Sequence, residues 1–304
     1  MNRAKRLVVV GSLNYDVFLK QQRLPQKGET LICQEASTAS GGKGANQAVQ
    51  AAKMGIETYL IGAVGQDAIG TFLLQTCEKY RVQTLFVQRC DCTSGLGMVQ
   101  YMSDGSVYAT IAEGANSKVT PQVVMKAEKC LSTADAIMLQ FEIPVPTVEF
   151  VLHYAKQRNI PTLLNAAPAK PEGKKLLKEA SCLVLNEQEA SIYCGATIHD
   201  FDSVRKHMPA LRTLNDNRII VTLGEHGSVL IEPEDVFYLS SSGTANVIET
   251  TGAGDSYAGT YMARRLMGDT PLTACQHATH AAEYTISQVG AQNSMPTWRE
   301  IKGV

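Results

Sequence analysis

Short apolar runs alternate with stretches of helical periodicity along this chain, and that alternation restricts the fold more than any other feature. The runs that are short enough for buried strands are 7–11, 58–62, 136–139, 162–165, 182–185 and 218–222. The helical stretches between them are 44–54, 68–80, 121–131, 146–158 and 187–194. Strands that alternate with helices form a mostly parallel sheet with helices on both faces. Such sheets bind ligands beyond the carboxyl ends of their strands, where we expect the functional residues.

One region interrupts this alternation. Residues 97–102 and 107–111 have the pattern of two strands, and Ser103, Asp104 and Gly105 between them favour a turn. With the extended segment 17–36, this hairpin is predicted to form a small second sheet that covers a site as a lid. The alternative is a hairpin at the edge of the main sheet.

The composition argues against several classes of protein. No apolar run approaches the roughly 18 residues that a membrane-spanning helix needs, and the run after the basic N-terminus is shorter than a signal peptide requires. The 28 basic and 29 acidic residues give a net charge of −1, which provides no general attraction for nucleic acid. The eight cysteines lack the spacing of a disulfide framework or a zinc site. We therefore expect reduced thiols and a cytoplasmic location.

The strongest candidate for a reactive site lies in segment 249–259. Its turn of Gly252, Ala253 and Gly254 precedes a predicted helix that ends near Met267. Free amide groups at a helix N-terminus, together with the helix dipole, bind phosphate. Asp255 in the first turn of this helix would then accept a proton from an attacking hydroxyl group. The alternative is that Asp255 only caps the helix.

This segment belongs to neither of the two best-known phosphate-binding motifs. The chain contains no Gly-x-x-x-x-Gly-Lys-Ser/Thr sequence, which excludes a P-loop. Tyr257 occupies the place of the third glycine of the dinucleotide-binding fingerprint. A nicotinamide-dependent oxidoreductase is therefore not supported.

A second glycine-rich turn precedes the predicted helix 44–54. Gly42 allows a ligand to approach the backbone closely, and Lys43 and Asn46, three residues apart, share one helical face. These residues suit either a second phosphate or the hydroxyl groups of a ligand. The alternative is an ordinary helix start with a solvated lysine.

Asn14 and Asp16 follow the first predicted strand at a spacing of two. In an extended backbone this spacing points both side chains the same way. Because a carboxylate accepts from two neighbouring hydroxyl groups and an amide both donates and accepts, the pair suits a polyol. An Asx turn that closes the strand is the alternative. Glu142 follows the predicted strand 136–139 and is expected at the same edge.

Two further groups follow strands on the expected ligand side. Asn186 and Glu189 are spaced to organise a hydrated Mg²⁺ beside phosphates, or to form a helix-capping pair. Thr222, Gly224 and Gly227 belong to a tight turn that suits either nucleotide contacts or a simple hairpin.

These groups occur in the same order in the ribokinase-like carbohydrate kinase family, which essentially the whole chain resembles. The matching motifs are Asn14-x-Asp16, Gly41-Gly42-Lys43-Gly44-Ala45-Asn46-Gln47-Ala48, Asn165-Ala166-Ala167-Pro168-Ala169, Asn186-x-x-Glu189, Thr222-Leu223-Gly224 and Thr251-Gly252-Ala253-Gly254-Asp255. Any one of them is weak, but six in register are specific.

The resemblance implies a three-layer α/β/α fold with a mostly parallel central sheet and a small β lid. We expect a single domain over 1–304, with the lid built from about 12–40 and 93–113. The implied reaction transfers the γ-phosphoryl group of ATP to a sugar hydroxyl, with D-ribose and D-ribose 5-phosphate as the leading pair. A homodimer formed through the lid is also implied. Deoxyribose, another pentose, a ketohexose or a nucleoside are alternative substrates, and a non-catalytic sugar sensor is an alternative of another class.

The resemblance also assigns roles to residues. Asp255 would be the general base, with an anion hole formed by the backbone amides of Gly252, Ala253 and Gly254. The sugar would be bound by Asn14, Asp16, Gly42, Lys43, Asn46 and Glu142. Mg²⁺, the phosphates and the nucleotide would be bound by Asn186, Glu189, Thr222, Gly224 and Gly227.

A K⁺ site is implied at Glu249, Thr251 and the loop from Gly290 to Ser294. Kinases of this type usually carry an aspartate at position 249, whereas this chain has a glutamate. The substitution keeps the carboxylate and extends its reach by one methylene group.

Overall fold

The computed structural model describes residues 3–104, 106–243 and 246–303, and its elements form two separate sheets and two layers of helices. The strands are β1 (Arg6–Val10), β2 (Asn14–Gln21), β3 (Glu35–Gly41), β4 (Glu57–Gly65), β5 (Gln83–Cys90), β6 (Gly95–Met102), β7 (Val107–Ala112), β8 (Ala136–Gln140), β9 (Thr162–Asn165), β10 (Cys182–Asn186), β11 (Ile219–Thr222), β12 (Ser228–Ile231) and β13 (Val236–Leu239). The helices are α1 (Lys43–Lys53), α2 (Ala68–Lys79), α3 (Pro121–Met125), α4 (Glu128–Leu131), α5 (Val145–Gln157), α6 (Glu187–Cys194), α7 (Phe201–Lys206), α8 (Met208–Arg212), α9 (Ala253–Met267), α10 (Pro271–Ile286) and α11 (Trp298–Ile301). Short 3₁₀ helices span Gly114–Lys118, Pro171–Glu179 and Gly224–His226.

The main sheet has nine strands in the order β13-β12-β11-β10-β9-β8-β1-β4-β5. All pairs from β5 to β11 are parallel, and β12 and β13 add an antiparallel edge. All six predicted strands belong to this sheet, which confirms the predicted fold class. The sequence analysis missed β5, β12 and β13, which lie at the two ends of the sheet.

Helices cover both faces of the main sheet, and each face has its own apolar core. Phe141 and Tyr193 are fully buried on one side, and Tyr261 is fully buried on the other, where α1 packs against α9. The predicted helices are confirmed to within one residue at each end, except that 121–131 is divided into α3 and α4.

The small sheet has the order β3-β2-β6-β7 and is separate from the main sheet. The alternative of a hairpin at the edge of the main sheet is therefore wrong. The segment 17–36 is also not extended throughout, because β2 ends at Gln21 and β3 begins only at Glu35. Ser103 and Asp104 form the predicted turn between β6 and β7, and Gly105 lies outside the described residues.

In the described ranges, no helix is both long enough and apolar enough to span a bilayer.

Candidate active site

A cavity of about 840 Å³ opens at the carboxyl ends of the parallel strands. It is lined by ten of the residues predicted from the sequence: Lys43, Asn186, Glu189, Thr222, Gly224, Gly227, Gly252, Ala253, Gly254 and Asp255. These residues come from the end of β10 and the start of α6, from the end of β11 and its connection to β12, and from the starts of α1 and α9, so the fold brings distant motifs to one place.

The N-terminus of α9, with Gly252 at the cap position, forms one wall of this cavity. Gly252 has φ 81°, and a Cβ atom there would lie 3.3 Å from the Cα of Ala291, so only glycine fits without strain. A Cβ atom on Gly254 would meet nothing within 4 Å. The amides of Gly252 and Gly254 have no hydrogen-bond partner among the described residues, whereas the Ala253 amide donates to the Thr250 carbonyl at 3.3 Å. Two of the three predicted anion-hole amides are thus unengaged.

Asp255 is the third residue of α9 and only 6% exposed. Its Oδ1 accepts from Nε2 of Gln47 at 2.9 Å, and its Oδ2 accepts from Nδ2 of Asn46 at 2.9 Å. The carboxylate therefore contacts α1 and makes no capping bond to its own helix. The interpretation of Asp255 as a helix cap is wrong.

Asp16 lies on β2 outside the lining of the cavity, close enough to the lining residues Lys43 and Asp255 to interact with their charges. Asn14 and Asp16 belong to one continuous strand, as the predicted extended pair requires, and the alternative of an Asx turn is wrong. Glycines on both neighbouring strands make room for the carboxylate: a Cβ atom on Gly41 would lie 1.8 Å from its Oδ2, and one on Gly97 would lie 2.2 Å from its Oδ1.

The Asp16 carboxylate has no hydrogen-bond donor among the described residues. Its pKa is raised from 3.8 to about 7, mainly by burial and then by the negative charges of Glu142 and Asp255, against an opposing effect of Lys43. A carboxylate in this condition gains from any ligand that brings hydroxyl donors, because hydrogen bonds favour its charged form.

Lys43 is surrounded by the carboxylates of Asp255, Glu142, Glu189 and Asp16. Burial acts to lower the pKa of its ammonium group, but the four negative charges together raise that pKa above the ordinary value. Burial also raises the pKa of the Glu189 carboxyl. The site therefore holds more negative than positive charge around its lysine.

Glu142 joins three segments of the site. Its Oε2 accepts from the Ser12 hydroxyl at 2.6 Å, the Lys43 amide at 3.0 Å and Nδ2 of Asn14 at 3.4 Å. Asn116 supports the same corner, because its Nδ2 donates to Oδ1 of Asn14 at 2.7 Å. The sequence analysis missed Ser12 and Asn116, and no motif singles out either residue.

Asn186 and Glu189 form the capping pair that was the alternative to a metal-binding role. The Glu189 amide donates to Oδ1 of Asn186 at 2.8 Å, and the Asn186 amide donates to Oε2 of Glu189 at 2.9 Å. Both residues still line the cavity, so capping does not remove them from contact with a ligand. Thr222, Gly224 and Gly227 likewise belong to the hairpin between β11 and β12 while lining the cavity.

The four residues predicted to bind K⁺ lie outside the lining of the cavity. Oε2 of Glu249 accepts from the Gly290 amide at 2.8 Å, and the Ser294 hydroxyl donates to the Gly290 carbonyl at 2.5 Å. Thr251 is 3.0 Å from the hydroxyl of Tyr101 on β6, which links the small sheet to the turn before α9.

The far end of the cavity was not predicted. Its wall includes the apolar side chains of Val247, Ala282 and Ile286, together with Thr279 and Glu283. Four of these residues lie on α10, which the sequence analysis did not identify. The pattern of small and β-branched residues on one face of 271–286 is the signal that could have indicated it.

Comparisons with known proteins agree with this geometry. The pfkB family of carbohydrate kinases matches residues 4–298. A ribokinase from Staphylococcus aureus is 30% identical over 302 residues, 98% of this chain and 99% of its own length. A deoxyribokinase from Salmonella typhi is 29% identical over 96% of this chain and 95% of its own length.

A solved structure extends the likeness to three dimensions. Arabidopsis thaliana ribokinase complexed with ribose and ATP superposes with a TM-score of 0.91 at 30% identity, covering 99% of this chain and 98% of that one. The match over nearly the whole length confirms the family that the motifs indicated. This chain belongs to the pfkB family of carbohydrate kinases.

Proposed function

We propose that the protein transfers the γ-phosphoryl group of ATP to the 5-hydroxyl group of D-ribose. One observation carries the proposal: the unengaged amides at the N-terminus of α9 and the carboxylate of Asp255 line one cavity, beside the unpaired carboxylate of Asp16. The first group suits a phosphoryl donor and the second a polyol. The likeness to the ribokinase that binds ribose and ATP supports both assignments.

The acceptor sugar would lie between β2 and the start of α1. Two free oxygens on Asp16 accept from two adjacent hydroxyl groups, as in the 2,3-diol of ribose. Asn14, Gly42, Lys43, Asn46 and Glu142 surround the same space and would bind the remaining oxygens. A 2-deoxy sugar leaves one Asp16 oxygen without a donor, which costs about 1–3 kcal/mol. This argument favours ribose over deoxyribose.

In the proposed reaction, Asp255 accepts the proton of the sugar 5-hydroxyl as its oxygen attacks the γ-phosphorus. The bond from that phosphorus to the β–γ bridging oxygen breaks, and ADP leaves. The amides of Gly252 and Gly254 donate to the transferred phosphoryl oxygens, where negative charge is concentrated. Lys43 lies close enough to Asp255 to offset part of this charge. The nucleotide would occupy the cavity beside Thr222, Gly224 and Gly227.

Mg²⁺ fits the chemistry of the cavity. Among the described residues, no cluster of three or more His, Cys, Asp or Glu side chains forms a closed metal site. Mg²⁺ bound to nucleotide phosphates keeps several waters and needs few protein ligands. Asn186 and Glu189 would hold it through oxygen ligands, and when bound it would neutralise phosphate charge. K⁺ would bind through the oxygens of Glu249, Thr251, Gly290 and Ser294.

The test is ATP-dependent phosphorylation of a sugar panel containing D-ribose, 2-deoxy-D-ribose, other pentoses, fructose and adenosine. We expect the highest kcat/KM with ribose, and a loss of at least about 10²-fold in kcat for Asp255→Asn. Near-normal turnover by that variant would remove Asp255 from the mechanism. Ribose binding without product formation under any metal condition would instead favour the sugar sensor.

We also propose that the small sheet acts as a lid and as the contact between two copies of the chain. All six residues of β7 are exposed, including Val107, Tyr108 and Ile111 at 44–55%. A second copy that covers this face would bury them, and closure over the sugar would exclude water. Light scattering should report a dimer for the wild type and a monomer for Ile111→Lys. Identical lid positions in crystals with and without ribose would argue against closure.

We also propose that the protein is located in the cytoplasm. All eight cysteines are free thiols, the state that a reducing compartment maintains.

A further inference from the structure

Both oxygens of the Asp255 carboxylate accept hydrogen bonds from side-chain amides. Gln47 and Asn46, which make these two bonds, are neighbours on α1 and are 0% and 5% exposed. Among the described residues, these two side chains are the donors to the carboxylate, and it makes no capping bond to its own helix. The direction in which this carboxylate faces is therefore set by α1.

Each of these amides is held in turn by a second buried amide. Nε2 of Gln140 donates to Oε1 of Gln47 at 2.7 Å, and Nε2 of Gln292 donates to Oδ1 of Asn46 at 3.0 Å. Gln140 is the last residue of β8 and Gln292 lies in the loop before α11. Two series of hydrogen-bonded side-chain amides, one from Gln140 through Gln47 and one from Gln292 through Asn46, thus end at the Asp255 carboxylate.

The carboxylate determines the donor-to-acceptor direction of every hydrogen bond in both series of amides. An ionised carboxylate only accepts hydrogen bonds, so Gln47 must present its NH₂ group to Asp255 and its oxygen to Gln140. Gln140 must then present its own NH₂ group. If the outer amide were absent, the inner amide could rotate and place its oxygen against the carboxylate.

The outer amides are unfavourable as packing residues. Oε1 of Gln140 and Oε1 of Gln292 are both buried without a hydrogen-bond partner. An unpaired buried oxygen is destabilising, and an apolar side chain of similar size would avoid that penalty. Their presence is explained if the NH₂ group that each presents is what the site requires.

We propose that Gln140 and Gln292 are positioning residues that orient the Asp255 carboxylate through Gln47 and Asn46. The inference rests on the proposed phosphoryl transfer, in which that carboxylate accepts the proton of the sugar. Two amide donors hold its plane, and the remaining lone pairs are left for the substrate hydroxyl. Because Asn46 is also a candidate sugar ligand, the chain through Gln47 gives the cleaner test.

The experiment is a double-mutant cycle with Gln140→Met and Gln47→Met, measured as kcat and as KM for ribose and ATP. We expect Gln140→Met to lower kcat about tenfold and Gln47→Met to lower it by about 10–100-fold, with each KM within about twofold of wild type. Since Gln140 acts only through Gln47, Gln140→Met should have no further effect on kcat in the Gln47→Met background.

Gln50→Met is the matched control. Gln50 is also a fully buried amide on α1, but its Nε2 donates to Thr260 at 2.8 Å and does not contact Asp255. Its Oε1 is buried without a hydrogen-bond partner among the described residues, as is that of Gln140, and we expect this variant to keep the wild-type kcat. Rescue of kcat by Gln140→Asn, relative to Gln140→Met, would further support an amide requirement.

Two results would overturn the inference. One is multiplicative effects of Gln140→Met and Gln47→Met on kcat, because independent losses indicate general damage. The other is an equal fall in kcat for Gln50→Met. Both presuppose a wild type that phosphorylates ribose; a wild type that phosphorylates no sugar would contradict the proposed function itself.

Discussion

Replacing Asp16 with asparagine should stabilise the free protein while it destroys sugar binding. The partly buried carboxylate of Asp16 has no donor among the described residues, and the negative charges of Glu142 and Asp255 oppose its own. Asparagine has nearly the same shape and carries no charge. The substitution therefore removes a repulsion that the folded protein bears only in the absence of sugar.

The size and pH dependence follow from the pKa of Asp16. The folded protein holds this proton up to about pH 7, whereas the ordinary pKa is 3.8. The resulting stabilisation is complete below pH 3.8 and is lost as the pH rises through about 7. At about 1.4 kcal/mol per pKa unit, the whole loss is about 4 kcal/mol, of which about 3 kcal/mol falls between pH 5 and 8. The Asp16→Asn variant would show no such loss, because its amide does not titrate.

The assay is urea unfolding of the wild type and Asp16→Asn without ligand, at pH 5 and pH 8. The difference in free energy of unfolding, variant minus wild type, should be about 3 kcal/mol larger at pH 8 than at pH 5. The control is Asp202→Asn, at a side chain that is 86% exposed; it should change stability by at most about 0.5 kcal/mol at either pH.

Ribose then separates stability from function. Saturating ribose should raise the melting temperature of the wild type and leave that of Asp16→Asn unchanged. A stability difference that is the same at both pH values would refute the argument from charge burial. A variant that is less stable than the wild type at pH 8 would refute it as well.

Three other changes test the neighbouring parts of the site. Gly254→Ala adds a methyl group in open space; we expect unchanged or slightly higher thermal stability and a kcat/KM for ATP that is lower by at least about tenfold, because the methyl group displaces a phosphoryl oxygen. Gly97→Ala places a Cβ atom 2.2 Å from Oδ1 of Asp16, so it should raise the KM for ribose by at least about tenfold and leave that for ATP near the wild-type value. If the wild type turns over faster in K⁺ than in tetramethylammonium, Glu249→Ala should remove that difference. Equal rates for the wild type in the two cations would mean that no functional K⁺ site exists.

The sequence alone identifies the segments that meet at the site because each carries a local signal. A glycine turn before a helix, as at Gly252 to Gly254, and an Asn-x-Asp pair after an apolar run are visible within a few residues. The parallel pairing of the main sheet also follows from local patterns, since strands that alternate with helices pair in parallel. These features locate the carboxyl edge and the residues at its rim.

Contacts between segments distant in sequence leave no such signal. The hydrogen bond from Gln47 to Asp255 joins residues 208 positions apart, and that from Gln292 to Asn46 joins residues 246 apart. In the sequence, Gln47 and Gln140 are only polar residues within or after apolar stretches. The edge strands β12 and β13 were missed for another reason: they pair antiparallel and no α-helix separates them from β11 or from each other, so they fall outside the alternation of strands and helices.

Long-range packing also explains why the sequence predicts which carboxylates lie at the site but does not predict their pKa values. Asp16, Glu142, Glu189 and Asp255 come from four separate segments, and each carboxylate alone would be ordinary. Burial together with their mutual repulsion raises the pKa of Asp16, and their combined negative charge raises that of Lys43. Sugar hydroxyls would relieve this repulsion by donating to Asp16, and phosphates would increase it unless a cation accompanied them. The fold thus keeps an unfavourable arrangement that becomes favourable only when a neutral polyol and a metal-bound nucleotide are both present.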